Sequence, residues 1–548
     1  MASDYETLLT QSSRLFEEAG PLRSLQQELA LNFYPERADF TGALPLGTDY
    51  AAHLTTSYPL GTRRDLANIF TTMLRPDERI WAKMSTRNYA DLPEDGKRWL
   101  ETGTYILRNA LYDNDSGFAR ATSQADDDIA VFGQSVLSCE MNWRKKALLF
   151  RCWHQRDVVW RETAEGTVGR VDRKWCPTIS DLNVIFKGKI SDKLKKHLSK
   201  DPYKKIEVRH IFVPVDDYQD AKGLYKKKDV KYISIFYDCE NKFVMEEVPY
   251  KHRYYIVPRW KTISGSQYAY SPASMSALPD ARTLQAATLT LLEAGEKAVD
   301  PPMLAYADVL RSDVDLASGG ITMIEGDYDE RTGRPLQAVF DSRHSNIPIG
   351  ADIIAGIRSD IHAMHFLNKI GLPPMGSGMS TLEVSQRVAE YIRGALPLFQ
   401  PLEPEYNGQL CGVAVEVMMA NGFFGPKDMI PDSLLGRDIE FTFENPLREA
   451  ADRAKGNMLL ESTAVLTNLA AFDPTVAHIL DAHEAARDTI DGQGAPRKWF
   501  KTREEVEEKS AADAEAAAMA DIISTVGAGA EAAKTLGEAG QALDQTTE

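Results

Sequence analysis

Hydrophobic residues recur at helical spacing over most of this chain, except in a central region where they alternate at the spacing of strands. Between residues 5 and 34, leucines stand among polar residues, and Gly20-Pro21 divides the pattern into two predicted helices. Similar spacing predicts helices over residues 65–74 and 96–112. The N-terminal part of the chain is therefore expected to be helical.

Short strands are predicted between residues 130 and 245. Runs rich in Val, Phe and Trp between residues 130 and 171, separated by Gly and charged turns, are typical of an antiparallel meander. Residues 206–211, 232–236 and 242–245 alternate at period two and predict a small further sheet. The expected fold class is therefore α+β, mainly helical.

The most clearly bounded helix pattern begins after Ser271 and ends at Val299. Ser271 is a suitable N-cap, and Pro272 suits the first helical position because its missing N–H has no helical partner there. Pro301 and Pro302 remove two donors and prevent the helix from continuing. The sequence therefore predicts one helix with defined ends.

A stripe of small and branched residues lies along one face of this helix and suits close packing against another helix. Its members are Ala277, Ala281, Leu284, Ala287, Leu291, Ala294 and Ala298. Pro279 interrupts the first turns and predicts a kink, with Asp280 starting the main segment. From Asp280 to Val299 the rise would be about 30 Å.

A second informative region covers residues 350–396. One helical face is predicted from Ile353, Ile354, Ile357, Ile361 and Met364. A capping box at residues 380–383 opens another helix. The connection at residues 372–379 is either an ordinary surface loop or a loop with a function of its own. A further helix is expected from residue 405 to a cap at Asn421-Gly422, followed by helical pattern over residues 447–523.

Composition and charge narrow the class of protein. With 548 residues, 43% hydrophobic and 26% charged, the chain is typical of a globular protein with two to four structural regions. Five scattered cysteines without a CxxC pair argue against a disulfide framework and a zinc site. The polar N-terminus and the lack of long apolar runs predict a cytosolic protein without a membrane partner. The net charge of −17 opposes non-specific adhesion to DNA.

The order of several motifs resembles the head-to-tail connector, or portal, proteins of short-tailed bacteriophages. The central series is Pro-x-x-Trp at Trp260, Gly-x-x-Tyr-x-x-Ser-Pro at Ser271-Pro272, Leu-Pro-Asp at Pro279-Asp280, and a helix closed by Asp-Pro-Pro at Pro301-Pro302. A later motif, Met-x-Thr-x-Glu-Val-x-x-Arg-x-x-Glu, resembles the same family. Its members are Met379, Thr381, Glu383, Val384, Arg387 and Glu390. That family commonly has Met-Thr-Ala-Glu at this point, whereas this chain inserts Ser380 and has Leu382 in the position of the alanine.

The resemblance implies a portal fold with wing, stem, clip and C-terminal helical crown, assembled as a ring that is typically of twelve copies in that family. The regions it implies are a wing at 1–180, stem helix 1 at 181–205, a clip at 206–265, stem helix 2 at 266–302, a wing continuation at 303–440, a crown at 441–525 and a low-complexity tail at 526–548. The wing continuation would contain a tunnel helix and a tunnel loop at about 370–380.

Site residues follow from the resemblance as hypotheses. The tunnel loop would project into a DNA channel with Lys369 as a phosphate contact, and its members would be Leu372, Pro373, Met375, Ser377 and Met379. Lys226, Lys227 and Lys228 would lie on the clip, where a packaging motor docks. The lysines between residues 187 and 205 are read either as a solvated face or as a contact to a neighbouring subunit or DNA.

The implied function is a DNA channel at one capsid vertex of the virion, assembled in the host cytoplasm. The partners implied are further copies of the chain, double-stranded viral DNA, the terminase large subunit, the major capsid protein, scaffolding protein and tail adaptor proteins. The alternatives are a helical scaffold or adaptor protein without a channel, and a metal-dependent phage nuclease.

Enzyme chemistry has little support in the sequence. There is no GxxxxGK[ST] loop or GxSxG elbow, and no catalytic residue, metal site or cofactor is predicted. His362 and His365 stand three apart on a helix, but no carboxylate arrangement completes a metal site there.

Overall fold

The computed structural model describes residues 2–45, 47–89, 92–218, 230–299, 347–370, 394, 397–426 and 430–444, the backbone of strands at 303–305 and 336–338, and residues 463, 466 and 509. The chain divides into two compact units, one of residues 1–92 and 96–447 and one of residues 93–95 and 448–548. The fold given below is that of the first unit. The predicted crown beyond residue 444 and the tail lie almost wholly outside the described residues.

Helices form most of the regular structure. They are α1 (Ala2–Glu18), α2 (Gly20–Phe33), α3 (Tyr58–Leu74), α4 (Glu94–Leu111), α5 (Phe118–Phe132), α6 (Ile179–Ile185), α7 (Asp192–Leu198), α8 (Pro272–Val299), α9 (Ile347–Met364), α10 (Leu367–Ile370) and α11 (Gln409–Ala420). A π-helical turn, Glu403–Gly408, precedes α11. The break predicted at Gly20-Pro21 and the helix end predicted at Asn421-Gly422 are confirmed, the latter with Gly422 at φ +75°.

The strands are all antiparallel to their neighbours. They are β1 (Ala82–Ser85), β2 (Leu137–Asn142), β3 (Ala147–Cys152), β4 (Val158–Glu162), β5 (Val168–Trp175), β6 (Val208–Pro214), β7 (Tyr232–Asp238), β8 (Phe243–Tyr250), β9 (Tyr255–Ile256), β10 (Lys261–Thr262), β11 (Ala269–Tyr270), β12 (Met303–Ala305), β13 (Leu336–Ala338) and β14 (Glu440–Phe443). They form a five-stranded sheet β4-β5-β6-β7-β8, a three-stranded sheet β3-β2-β9, and the pairs β1-β14, β10-β11 and β12-β13. The fold class α+β is therefore confirmed.

The sheets divide the strands differently from the sequence patterns. The predicted meander over 130–171 is split, because β3 pairs with β2 while β4 and β5 belong to the larger sheet. The strands predicted as a separate small sheet join that same sheet, where Val171 of β5 faces Phe212 of β6. Alternation of apolar residues specifies a strand but does not specify its neighbour. The five-stranded sheet therefore contains strands from both the expected wing, which ends at residue 180, and the expected clip, which begins at residue 206. The assignment of these regions as wing and clip stays a prediction.

Residues 181–205, expected to form one stem helix, contain the last residues of α6 and all of α7, each a seven-residue helix. Left-handed backbone at Lys187 and Gly188, with φ of 49° and 79°, separates them, since an α-helix cannot continue through such residues. The second of these helices, α7, is capped by Ser191, whose hydroxyl accepts from the N–H of Leu194 at 3.3 Å.

The long helix α8 is the one bounded helix that the sequence predicts, with Pro279 inside it, and the kink expected at Pro279 stays a prediction. Proline removes a hydrogen bond, but Ala277 and Leu278 before it and Ala281 and Leu284 after it are all buried, and this packing offsets the loss. At 28 residues the helix is about 42 Å long. It ends at Val299 as predicted.

Helix α9 packs beside α8, but its buried face is narrower than predicted. Ile354 and Ile361 are buried and Ile357 is partly buried in the cluster shared with α2 and α8. Ile353 and Met364, assigned to the same face, are exposed. Two helices in antiparallel contact cover only one side of each other, so the flanking positions stay outside.

Candidate functional site: the anchor of the long helix

The start of α8 is held against the end of α5 by a backbone contact at Gly133. The N–H of Gly133 donates to the carbonyl of Ile129 at 2.8 Å and closes α5 with φ +74°. A Cβ atom added at Gly133 would lie 2.0 Å from the carbonyl carbon of Tyr270. Glycine is required here both by the left-handed conformation and by this close approach.

Ser271 and Ser274 complete the contact through the last turn of α5. Both hydroxyls donate to the carbonyl of Ala130, at 2.7 and 3.0 Å, and so satisfy an acceptor that a helix end leaves free. The Ser271 hydroxyl also accepts from the N–H of Ser274 at 3.2 Å. The sequence-based N-cap at Ser271 is therefore present, and it also joins two helices.

Trp260 is the third part of this anchor. Its N–H donates to the carbonyl of Gly133 at 2.7 Å, and its indole N–H donates to the carbonyl of Leu398 at 3.1 Å. Its ring lies edge-on to Phe70 at 4.9 Å between centroids and contacts Phe366 at 6.2 Å. Phe366 and Leu398 stand on either side of the stretch that holds the predicted tunnel loop. Trp260 therefore contacts both ends of that stretch.

Lys369, the predicted phosphate contact, lies exposed on the short helix α10. Its Nζ is 5.8 Å from the ring centroid of Phe366, the residue that also contacts Trp260. The remaining predicted site and motif residues, apart from Trp260 and those at the start of α8, fall outside the described residues. They are Lys226, Lys227, Lys228, Pro301, Pro302, Leu372, Pro373, Met375, Ser377, Met379, Thr381, Glu383, Arg387 and Glu390.

His365 occupies the turn between α9 and α10. Its ring is fully buried beside the Phe33 ring at 5.5 Å, and Nδ1 donates to the carbonyl of Ile361 at 2.9 Å. Nε2 has no hydrogen-bond partner among the described residues. Burial lowers the pKa of His365 to about 4. The residue is therefore neutral at pH 7 and serves packing.

Three successive aspartates on α5, which the sequence analysis did not single out, bind three arginines next to this anchor. Asp126 pairs with Arg75, Asp127 with Arg63, and Asp128 with Arg37 at 3.0 Å. Burial raises the pKa of the Asp126 carboxyl, and the Arg75 guanidinium opposes that rise. The signal available in the sequence was a run of acids inside a helix with an apolar stripe.

Within the described chain, no group of three or more His, Cys, Asp or Glu side chains could hold a metal ion. No helix among the described residues is both long enough and apolar enough to cross a membrane.

Comparisons with known proteins identify one phage protein family that matches most of this chain. The family described as "Bacteriophage head to tail connecting protein" matches residues 5–500. A protein named "Portal protein" from Salmonella phage epsilon15 is 22% identical over 339 residues, which are 61% of this chain and 59% of that protein.

Two solved structures are similar at low identity. One, titled as the neck of an empty GTA particle computed with C6 symmetry, is 12% identical, covers 83% of this chain and 96% of the other, and has a TM-score of 0.37. The other, titled as the virion of a native gene transfer agent particle, is 10% identical, covers 75% and 86%, and has a TM-score of 0.33.

Proposed function

The chain belongs to the bacteriophage head-to-tail connecting protein family, and from this we propose that it is a portal subunit whose copies form a ring around a DNA channel at one capsid vertex. The observation that supports a ring is the exposure of the C-terminal half of α8. From residue 285 to residue 299 no side chain of α8 is fully buried among the described residues, although Ala287 and Leu291 pack partly against neighbouring helices. The other side of this half of α8 lacks a cover among the described residues.

The exposed surface of the α8–α9 pair includes four large apolar side chains. Leu289 and Leu292 on α8 and Ile349 and Ile353 on α9 are each exposed by about half, between 47% and 58%. Gly350 brings the two helices close together, because its missing Cβ leaves room for Leu291. Large apolar side chains exposed on neighbouring helices are a feature of interaction sites on soluble proteins. In a ring, the adjacent copy would cover them.

We propose that the DNA path is lined by Lys369 and by part of the segment between Phe366 and Leu398, the two residues that contact Trp260. Lys369 and the loop of residues 372–379 would line the narrowest part of the channel, and Lys226, Lys227 and Lys228 would receive the packaging motor. A net charge of −17 per subunit suits a conduit, since each neutralised phosphate adds salt-dependent affinity and would slow sliding. A few basic rings would guide DNA without retaining it.

The partners proposed are double-stranded viral DNA, the terminase large subunit, the major capsid protein, scaffolding protein and tail adaptor proteins. The ring, of about twelve copies, would nucleate the procapsid in the host cytoplasm, pass DNA inward and outward, and remain in the virion.

The mass of the purified protein, measured by light scattering and followed by negative-stain imaging, tests the ring. We expect a closed ring with a central hole. Leu289→Ser combined with Leu292→Ser should reduce the ring fraction at least about fivefold by leaving the apolar face polar. Leu435→Ser, at a leucine that is 62% exposed elsewhere, is the matched control and should assemble normally.

A stable dimer without a hole would contradict the portal proposal and favour a helical scaffold or adaptor. Rings formed equally well by the Leu289→Ser, Leu292→Ser protein would retain the portal proposal but remove this face from the interface.

A further inference from the structure

Residues 179–205 form a helical hairpin, here called the lysine hairpin, with one buried and one exposed face. Its inward residues pack against Val208 and Met245 of the large sheet. They are Ile179, Leu182, Phe186, Ile190 and Leu194. We propose that the outward face binds an acidic segment of another protein that also carries apolar side chains. This goes beyond the proposed function, because it adds a binding surface.

The outward face concentrates positive charge in an acidic chain. Residues 181–205 contain eight lysines and three aspartates, a local charge of +5 where the whole chain has −17. Lys195 pairs with Asp192 at 3.3 Å and Lys204 with Glu240 at 3.8 Å. The other lysines are exposed and make no ion pair within the described chain. They are Lys187, Lys189, Lys193, Lys196, Lys200 and Lys205.

Apolar side chains stand among these lysines. Val184 and Ile185 at the end of α6 are 63% and 53% exposed, and Tyr203 is 78% exposed. The segment that carries Tyr203 runs beside the start of α6, where the N–H of Ser180 donates to the carbonyl of Pro202 at 2.9 Å. The hairpin therefore presents both charge and apolar surface.

This mixture favours a protein partner over DNA. A phosphate backbone would neutralise the lysines but would offer nothing to the three apolar side chains. An acidic segment with apolar residues satisfies both parts of the surface, since interfaces combine an apolar centre with a charged rim. Charge complementarity also speeds the encounter with such a partner.

The lysine hairpin and the connection that holds residues 226–228 leave the large sheet at opposite ends of β6. The hairpin leaves the sheet after Trp175 and returns at Val208, two residues that face each other across β5 and β6. The connection holding residues 226–228 leaves from the other end of β6, after Pro214. The length of β6 places these two points about 20 Å apart.

The test uses the full-length protein and a labelled amphipathic peptide with Glu on one helical face and Leu on the other. A companion peptide has Ser in place of Leu, and a short labelled duplex DNA is the third probe. Fluorescence anisotropy at about 0.05 M and about 0.3 M salt separates the charge contribution from the apolar one, because salt screens only the former. We expect the Leu peptide to bind at least about tenfold more tightly than the Ser peptide.

Two variants locate the binding. Lys193→Glu, Lys196→Glu and Lys200→Glu together should weaken binding of the Leu peptide at least about tenfold. Val184→Ser with Ile185→Ser should weaken it about fivefold and leave the Ser peptide unaffected. The matched control reverses three exposed cations elsewhere, Arg144, Lys146 and Lys261, and should change binding less than about twofold.

The proposal is overturned if the Leu peptide does not bind at low salt, if the Leu and Ser peptides bind equally, or if duplex DNA binds more tightly than the Leu peptide. It is also overturned if the triple lysine reversal lowers the oligomer mass, since the face would then join copies of this chain. Loss of rings in the wild-type protein would contradict the proposed function without affecting peptide binding.

Discussion

The aspartates of α5 and the lysines of the lysine hairpin are both runs of like charge in the sequence, and the structure places them in opposite environments. Asp126 and Asp128 are fully buried, and each has an arginine as its partner. Most of the hairpin lysines are exposed and have no ionic partner among the described residues. A charge that is buried must be paired within the chain, whereas an exposed one is available to another molecule.

The two regions also differ in how far away their partners are. Arg75 and Asp126 are 51 positions apart, and Arg37 and Asp128 are 91 apart. In the hairpin, Lys195 pairs with Asp192 only three positions away, although Lys204 pairs with the more distant Glu240. The buried pairs therefore depend on the tertiary fold, while the Lys195–Asp192 pair depends only on one helical turn.

The largest expected effect is on the buried pair. Asp126→Ala leaves the Arg75 guanidinium buried without its counter-charge and should lower the free energy of unfolding by about 3–5 kcal/mol. Urea unfolding followed by circular dichroism measures it. The matched change in the hairpin, Asp192→Ala, should cost less than about 0.5 kcal/mol because that carboxylate is 92% exposed. Equal losses of unfolding free energy for the two variants would contradict the view that only the buried pair is needed for stability.

A second prediction concerns the backbone contact beside these pairs. Gly133→Ala should lower the free energy of unfolding by about 2–5 kcal/mol, from its left-handed conformation and from the collision with Tyr270. Gly166→Ala shares the conformation, at φ +76°, but has open space around it, and should cost about 1–2 kcal/mol. If thermal and urea unfolding gave the same loss for both, the contact with Tyr270 would not anchor α8.

A third prediction sharpens the comparison with a buried group that has no counter-charge. The pKa of His365 is about 4 in the folded chain and 6.5 when unperturbed, so between these values only the unfolded chain binds the proton. Stability should therefore fall by about 3 kcal/mol as the pH falls through this window, and should not depend on His365 above it.

His365→Phe should remove that part of the pH dependence, measured as urea unfolding at several pH values. His210, which is also buried, contributes equally to both proteins and cancels in the difference. A profile unchanged by His365→Phe would show that His365 is not held neutral.

The smallest effect is expected for the hairpin lysines themselves. Single changes Lys193→Ala, Lys196→Ala and Lys200→Ala should each alter the free energy of unfolding by less than about 0.5 kcal/mol, because each side chain is exposed. A loss above about 1 kcal/mol for any of them would indicate that the lysine is used within the fold rather than kept for a partner.

Much of the local structure was predictable, and the anchor was predictable only in part. Ser271 was recognised as a cap from its residue type and its neighbour Pro272, and its second role, donating to Ala130, was not visible in the pattern. Pro279 predicts a kink because proline removes a helix hydrogen bond, and the burial of residues on both sides of it keeps α8 a single helix.

The sequence by itself determined the type of most elements, because these depend on neighbours three or four positions away. The helices before and after Gly20-Pro21, the end of α8 at Val299 and the cap at Asn421-Gly422 are of this kind. Only the tertiary structure decided that β5 pairs with β6 and that Asp126 binds Arg75. It also decided that Gly133 contacts the backbone of Tyr270, next to the start of α8. These contacts join distant positions, and they form because packing the whole unit buries apolar surface that no single element can bury.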